Sequence, residues 1–233
     1  MSASVNVYWA CLENEWMAAE EPESVRSTFY KKNLIDSSNH LSWIDRCPGF
    51  SSNLKNLYTM KSLYDYSFTV NGAEISSPSY DQAFMDEHLI TRSIEKRFFS
   101  FQSKYIYFTD ADSLDVTFYE YPYLEDNNIT TDCIPVAGQF NIGKWFRSTE
   151  FAFYLKDNHN TFKINRGEVY SYMRFHTDKK INFVQFRYTP EFKKFQDDGF
   201  SLTKLNLGKL ENYYSMFKNK KKILEEIKKN LVY

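Results

Sequence analysis

Side chains capable of chemistry concentrate on one late segment, residues 168–176, whose residue types alternate as in a β-strand. Because successive side chains of a strand point to opposite faces, the alternation predicts that four polar or aromatic residues share one face. They are Tyr170, Tyr172, Arg174 and His176. The next predicted strand carries Gln185 and Arg187 on one face, and Arg187 completes the candidate ligand-binding set. Such a mixture is typical of a ligand-lined sheet interior and equally of a solvent-facing surface. The solvent-facing surface is the favoured interpretation.

A metal site is weakly indicated by the triplet His176-Thr177-Asp178. An H-x-D triplet supplies two of the three ligands of a two-histidine, one-carboxylate iron site. The third ligand is a distant histidine, which ordinarily follows the triplet, and no histidine follows His176 in this chain. The same residues fit a turn between strands, so neither a metal site nor a cofactor is predicted, and His176 and Asp178 remain weak candidates.

Nucleophilic catalysis has one candidate thiol, Cys47, which lies in a loop beside Arg46, a cation able to lower a thiol pKa. His40 precedes it by seven residues, but no third orienting group is identifiable. The carboxylates cluster at predicted turns, where solvation explains them. No catalytic residue is therefore assigned, and whether the protein is an enzyme stays open.

The basic residues are unevenly distributed. Residues 204–233 hold eight lysines and three glutamates, whereas the whole chain has a formal net charge of −1. Candidate contacts for a polyanion are Lys218, Lys220, Lys221 and Lys222. A solvated helix face is the favoured interpretation. The near-neutral chain carries no recognised nucleic-acid motif, so sequence-specific nucleic-acid binding is not expected.

The pattern along the chain predicts the elements that must position these side chains. Short aromatic and β-branched segments recur at intervals of about ten residues, separated by turn-forming residues. This predicts a mainly β fold, with an antiparallel β-sandwich or jelly-roll body, cupin-like in outline, over residues 1–203. Residues 97–109 and 115–121 are predicted to form a hairpin, and residues 177–179 are predicted to be a hairpin turn. Neither a glycine-rich phosphate loop nor βαβ alternation is present.

The end of the chain changes character. Apolar residues recur at intervals of three and four over residues 204–233, which predicts a basic amphipathic helix packed on the β body or projecting from it.

Composition limits which classes of protein the chain can belong to. Forty-three aromatic residues, from 21 Phe, 18 Tyr and 4 Trp, supply a large core, and three scattered cysteines imply no disulfide framework. The chain has neither an apolar run long enough to span a membrane nor the pattern of a signal peptide. A soluble protein that is not secreted through a signal peptide is therefore expected.

Several segments resemble a family of uncharacterised proteins from large tailed phages of marine cyanobacteria and related bacteria, with distant bacterial relatives of unknown function. The resemblance spans about residues 4–200, through the segments 7–22, 47–70, 98–130 and 138–186. Its motifs include Cys47-Pro48, Lys55-Asn56, Lys61-Ser62, Trp145 and residues 163–168. The resemblance implies a phage accessory or virion protein, located in the infected host's cytoplasm or in the particle, and it implies no reaction.

Two functions are therefore expected, and a third hypothesis is binding to an anionic surface through the C-terminal lysines. The first is a non-enzymatic role through protein–protein interaction, as a virion component or a host-interaction protein. The alternative is a cupin-type metal-dependent enzyme or small-molecule binder that uses the face of Tyr170, Tyr172, Arg174 and His176. A protein partner is expected under the first, and the sequence leaves open whether the chain forms a homo-oligomer.

Overall fold

The computed structural model of the protein describes residues 3–12, 19–31, 47–72, 74–119, 132–203 and 208–232. The strands are β1 (Ser4–Cys11), β2 (Leu57–Lys61), β3 (Tyr66–Asn71), β4 (Glu74–Ser76), β5 (Leu89–Ser93), β6 (Phe98–Thr109), β7 (Asp115–Tyr119), β8 (Cys133–Val136), β9 (Gly138–Asn141), β10 (Ser148–Leu155), β11 (Thr161–Ile164), β12 (Val169–Phe175) and β13 (Lys180–Gln185). The helices are α1 (Val25–Lys31), α2 (Pro48–Asn53), α3 (Gln82–His88), α4 (Pro190–Thr203), α5 (Leu210–Met216) and α6 (Lys220–Lys229).

The largest sheet has six strands and is mixed. Its order is β13-β1-β6-β10-β8, and β5 pairs with the first half of β6 on the same side as β1. The β1–β13 pair is parallel, and the other pairs of this sheet are antiparallel. Strand β6 is long enough to hold β5 and β1 end to end, and Lys104, which has a positive φ of 60°, lies between their pairing regions.

Two smaller sheets cover one face of the six-stranded sheet. One has the order β2-β12-β7-β9 and the other β11-β3-β4. The main core lies between these sheets and the large one, and it combines Phe101 of β6, Phe153 of β10, Phe68 of β3 and Met173 of β12. Strand β10 illustrates why these residues form strands, because its side chains alternate between buried and half-buried over 150–155.

Helices α4 and α6 cover the opposite face of the large sheet. Phe192 of α4 and Ile223 and Ile227 of α6 are fully buried against Ile106 and Phe108 of β6. The apolar stripe of α6 therefore makes it part of the folded body, and Lys221, Lys222, Lys228 and Lys229 form its exposed surface. No helix within the described ranges is both long and apolar enough to cross a membrane.

The mainly β fold and the presence of a C-terminal helix are confirmed. The jelly-roll and cupin-like topologies remain predictions. Two predicted hairpins are wrong: β6 lies in the six-stranded sheet whereas β7 lies in the four-stranded one, and β12 and β13 are divided in the same way. The residues between the two strands of each pair carry the chain from one sheet to the other. A short polar connection is compatible with such a crossing as well as with a hairpin turn.

The C-terminal region also differs from the single predicted helix. Residues 204–207 lie outside the described ranges, and beyond them the chain forms two helices, α5 and α6, separated by residues 217–219. Helix α4 lies within the range that the sequence predicts as the β body. Pro48 begins α2 in a turn-rich segment, because proline is well tolerated in the first turn of a helix.

Candidate functional site

The structure separates the tyrosines that alternation predicts on one face. A register shift between Val169 and Ser171 places Tyr170 in the main core with Met173, whereas Tyr172 packs under α1 and α2 on the other side of the sheet. An extra residue in a strand reverses the facing of everything beyond it. Burial raises the pKa of both phenols well above the ordinary value, as expected of packed side chains.

The other predicted ligand-binding residues have structural partners. The guanidinium of Arg174 donates to the side-chain oxygen of Asn53 at 2.7 Å and lies over the ring of Tyr119, which ties α2 to the sheet. The backbone N–H of Arg187 donates to the carbonyl oxygen of Asn230 at 2.8 Å, at the C-terminal end of α6. These residues therefore do not converge on one space.

The two weak metal candidates are each held by another residue. Nε2 of His176 shares a 2.7 Å hydrogen bond with the hydroxyl of Thr117, and the Asp178 carboxylate pairs with the Lys55 ammonium at 2.8 Å. Lys55 lowers the pKa of the Asp178 carboxyl through that hydrogen bond. Among the described residues, no group of three or more His, Cys, Asp or Glu side chains is placed to hold a metal ion.

The remaining sequence candidates lie apart. Cys47 is exposed at the start of α2, and Arg46 and His40, its neighbours in the sequence, lie outside the described residues. Lys218, Lys221 and Lys222 are exposed on the surface. Lys220 is half-buried and donates to the carbonyl oxygen of Ala111, and burial lowers the pKa of its ammonium. The four lysines therefore differ in exposure and do not form one uniformly exposed surface.

A cavity that the sequence does not predict lies where the chain passes from the six-stranded sheet to the four-stranded sheet. Strand β8 leaves the six-stranded sheet at Val136, which pairs with Ala152 of β10. Two residues later, Gly138 pairs with Phe118 of β7 in the four-stranded sheet. Within the described part of the chain, residues 148–151 of β10 therefore have β6 on one side and no strand on the other. We call the space that opens there the fork cavity.

The fork cavity has a volume of about 280 Å³. Most of its wall is apolar. The wall is formed by both sheets, by the residues that join β8 to β9, and by α5. The apolar and aromatic residues that line it are Phe118, Tyr119, Pro135, Val136, Ala137, Phe140, Trp145, Phe151, Ala152 and Leu210. The polar lining consists of Gln139, Arg147, Ser148, Thr149, Glu150 and Ser171.

The charged part of the wall is a small ion-pair cluster. The Arg147 guanidinium donates to the Glu150 carboxylate at 2.6 Å, and Arg92 of β5 donates to the other oxygen of the same carboxylate. Arg147 is only 14% exposed and lies over the rings of Trp145 and Phe200, at 5.1 and 4.3 Å from their centroids. Burial lowers the pKa of its guanidinium, and Glu150 opposes that change. Arg92 itself does not line the cavity, so the charged lining is the paired Arg147 guanidinium and Glu150 carboxylate.

Exposed apolar side chains surround the mouth of the fork cavity. Val136 and Leu210 line the mouth and are 40% and 39% exposed, and Ile134, two residues before Val136 on β8, is 52% exposed. Since alternate residues of a strand share a face, Ile134 extends the same apolar surface. Apolar surface around a concave site is typical of interaction surfaces.

One signal in the sequence points to this site. Pro135 cannot donate to a strand ladder, so a short apolar segment that contains it is expected at a sheet edge. The cavity itself could not be predicted, because its walls come from residues 118, 136, 151 and 210, which the fold brings together. A comparison of the chain with protein-family models, with curated proteins and with solved structures found no match.

Proposed function

We propose that this protein acts through protein–protein interaction and that the fork cavity receives a side chain of the partner. The observation that carries the proposal is the coincidence of an apolar cavity and an exposed apolar rim at one place. In keeping with the resemblance to tailed-phage proteins, the setting proposed for this interaction is the virion or the infected host cell.

The size of the cavity suits an inserted side chain. Small-molecule and cofactor sites typically occupy about 300–1,000 Å³, and the fork cavity, at about 280 Å³, lies close to the lower end of that range. An apolar cavity of about 150 Å³ is large enough to hold benzene. An aromatic or large aliphatic side chain therefore fits, and the surrounding rim supplies contacts to the rest of the partner.

The test uses a display library of random short peptides, selected on the immobilised full chain. Peptides enriched in the selection are synthesised, and their dissociation constants are measured by fluorescence anisotropy. We expect enriched peptides to share a large apolar residue and to bind Leu210→Lys at least about tenfold more weakly, because the charge stands at the cavity mouth.

Met216→Lys is the matched control. Met216 lies on the same helix and is 41% exposed, against 39% for Leu210, but it does not line the cavity. We expect its affinity to stay within about twofold of the parent value. Failure to enrich any peptide, or equal losses in the two variants, would overturn the proposed function.

A further inference from the structure

The outer face of the six-stranded sheet is only partly covered by the helices. Helices α4 and α6 pack on the half of this face that carries Ile106 and Phe108 of β6. On the other half, the residues that alternate with the core residues Phe99, Phe153 and Cys133 point outward. Five apolar side chains lie there outside the described core clusters, and we call them the outer patch. They are Phe98, Ile134, Val136, Ala152 and Tyr154.

Strand pairing arranges the outer patch in two rows. Ile134 of β8 pairs with Tyr154 of β10, which in turn pairs with Phe98 of β6. The rings of Tyr154 and Phe98 stack with their centroids 4.5 Å apart. In the next row Val136 pairs with Ala152, and both of these residues also line the fork cavity. The outer patch is therefore continuous with the mouth of the cavity.

The outer patch has the size of one helix. Its three strands lie about 4.8 Å apart and its two rows about 7 Å apart, which gives an area on the order of 200 Å². A standard interface between two proteins covers about 800 Å² on each partner, so this face alone is too small for a stable dimer of the chain. A helix with its side chains is about 10 Å across. Helices α4 and α6 already pack on the other half of the same face.

The spacing between the cavity and the outer patch matches one turn of a helix. Val136 lines the cavity mouth, and Ile134 lies two residues away on the same face of β8, at about 7 Å by strand geometry. Residues i and i+4 of an α-helix share one face and are separated by about 6 Å along the axis. A helix aligned with β8 therefore places one side chain in the cavity and a second one against Ile134.

From this geometry we infer that the partner segment is an amphipathic helix that lies on the outer patch. Its first anchor is the large apolar side chain that enters the fork cavity. Its second anchor, three or four residues away, packs on Ile134, Tyr154 and Phe98. Since Arg147 and Glu150 of the cavity lining pair with each other, both anchors are uncharged. The inference rests on the proposed function, because it specifies the form of the segment that fills the same cavity.

The helical form is tested by alanine scanning of a selected peptide. We expect two positions, three or four residues apart, at which alanine weakens binding at least about tenfold. An extended segment that bridges the same distance has its anchors two residues apart. Proline between the anchors is expected to weaken binding by a similar factor, because it breaks a helix. Anchors two residues apart, a single anchor, or a peptide that tolerates proline would overturn the helix.

The position of the second anchor is tested with Ile134→Ala. We expect this variant to bind the selected peptide at least about threefold more weakly. A peptide whose second anchor is already alanine should lose little, because the contact is absent from it. Met216→Ala is the control, since Met216 is 41% exposed, against 52% for Ile134, and lies outside the outer patch. Equal losses for the two peptides would overturn the contact with Ile134.

Failure of the helix and failure of the proposed function give different results. If Leu210→Lys weakens the selected peptides and Met216→Lys does not, the cavity is the site whatever the form of the bound segment. If these two variants have equal effects, the proposed function fails together with the helix.

Discussion

His88 is a buried titratable side chain outside the fork cavity. The residue is 2% exposed, and its ring shares a 2.8 Å hydrogen bond with the Tyr66 hydroxyl and stacks on Phe84, with 3.9 Å between ring centroids. Burial lowers the pKa of His88 from 6.5 to about 4; the nearby Lys104 ammonium acts in the same direction, and Glu87 opposes it. The imidazole is therefore neutral in the folded protein at neutral pH.

We expect His88 to make the protein less stable as the pH falls from 6.5 to about 4. In that interval the unfolded chain binds a proton at His88 that the folded chain does not, so acid favours unfolding. The full difference corresponds to about 3 kcal/mol of unfolding free energy. Urea denaturation of the parent and of His88→Gln across this range measures it. A parent and variant with the same pH dependence would contradict this assignment.

Gly143 occupies a position where a side chain does not fit. A Cβ at Gly143 would stand 2.8 Å from the carbonyl oxygen of Ala111 and 3.2 Å from Oδ1 of Asn141. We expect Gly143→Ala to lower the unfolding free energy by about 1–3 kcal/mol, because backbone must shift. Gly138→Ala is the control, since no atom lies within 4 Å of its Cβ position, and we expect less than about 0.5 kcal/mol. Chemical denaturation of both variants checks the difference.

At the scale of single elements, helix α6 contributes to the fold through its buried stripe. Ile227 is fully buried against the outer face of the six-stranded sheet, whereas Leu224, one turn earlier, is only partly buried in the same cluster. We expect Ile227→Ala to cost about 2–5 kcal/mol of unfolding free energy and Leu224→Ala clearly less. Equal costs, measured by denaturant unfolding, would show that α6 is not packed as described.

Local patterns predict which segments become strands better than they predict which sheet each strand joins and which strand it pairs with. Strand β6 lies close to its predicted bounds because its aromatic alternation is strong. Its predicted hairpin with β7 is wrong, because alternation specifies a buried face and not a pairing partner. Residues 81–94 hold a helix and a strand in succession, α3 and β5.

The candidate site depends on features that alternation does not encode. The bulge near Ser171 moves Tyr170 into the core and leaves Tyr172 on the other side of the sheet, so these residues do not form the predicted face. The fork cavity arises because β8 and β9 are separated by one residue yet belong to different sheets. Such a change of sheet is a property of the assembled fold.

At the scale of the whole molecule, the arrangement of the layers explains where the fork cavity lies. Helices α4 and α6 cover one face of the six-stranded sheet and the two smaller sheets cover the other. At one edge of that sheet, β13 pairs with β1 along its length. At the other edge, β8 covers only half of β10 before it crosses to the four-stranded sheet.

The most direct test of the proposed interaction is hydrogen–deuterium exchange of the full chain with and without a selected peptide. If the partner segment binds at the fork cavity, amide exchange slows at residues 148–151 of β10, which line the cavity. Exchange in β13, at the opposite edge of the same sheet, stays unchanged. Protection of β13 or of the lysine-rich surface of α6, with none at residues 148–151, would contradict binding at the fork cavity.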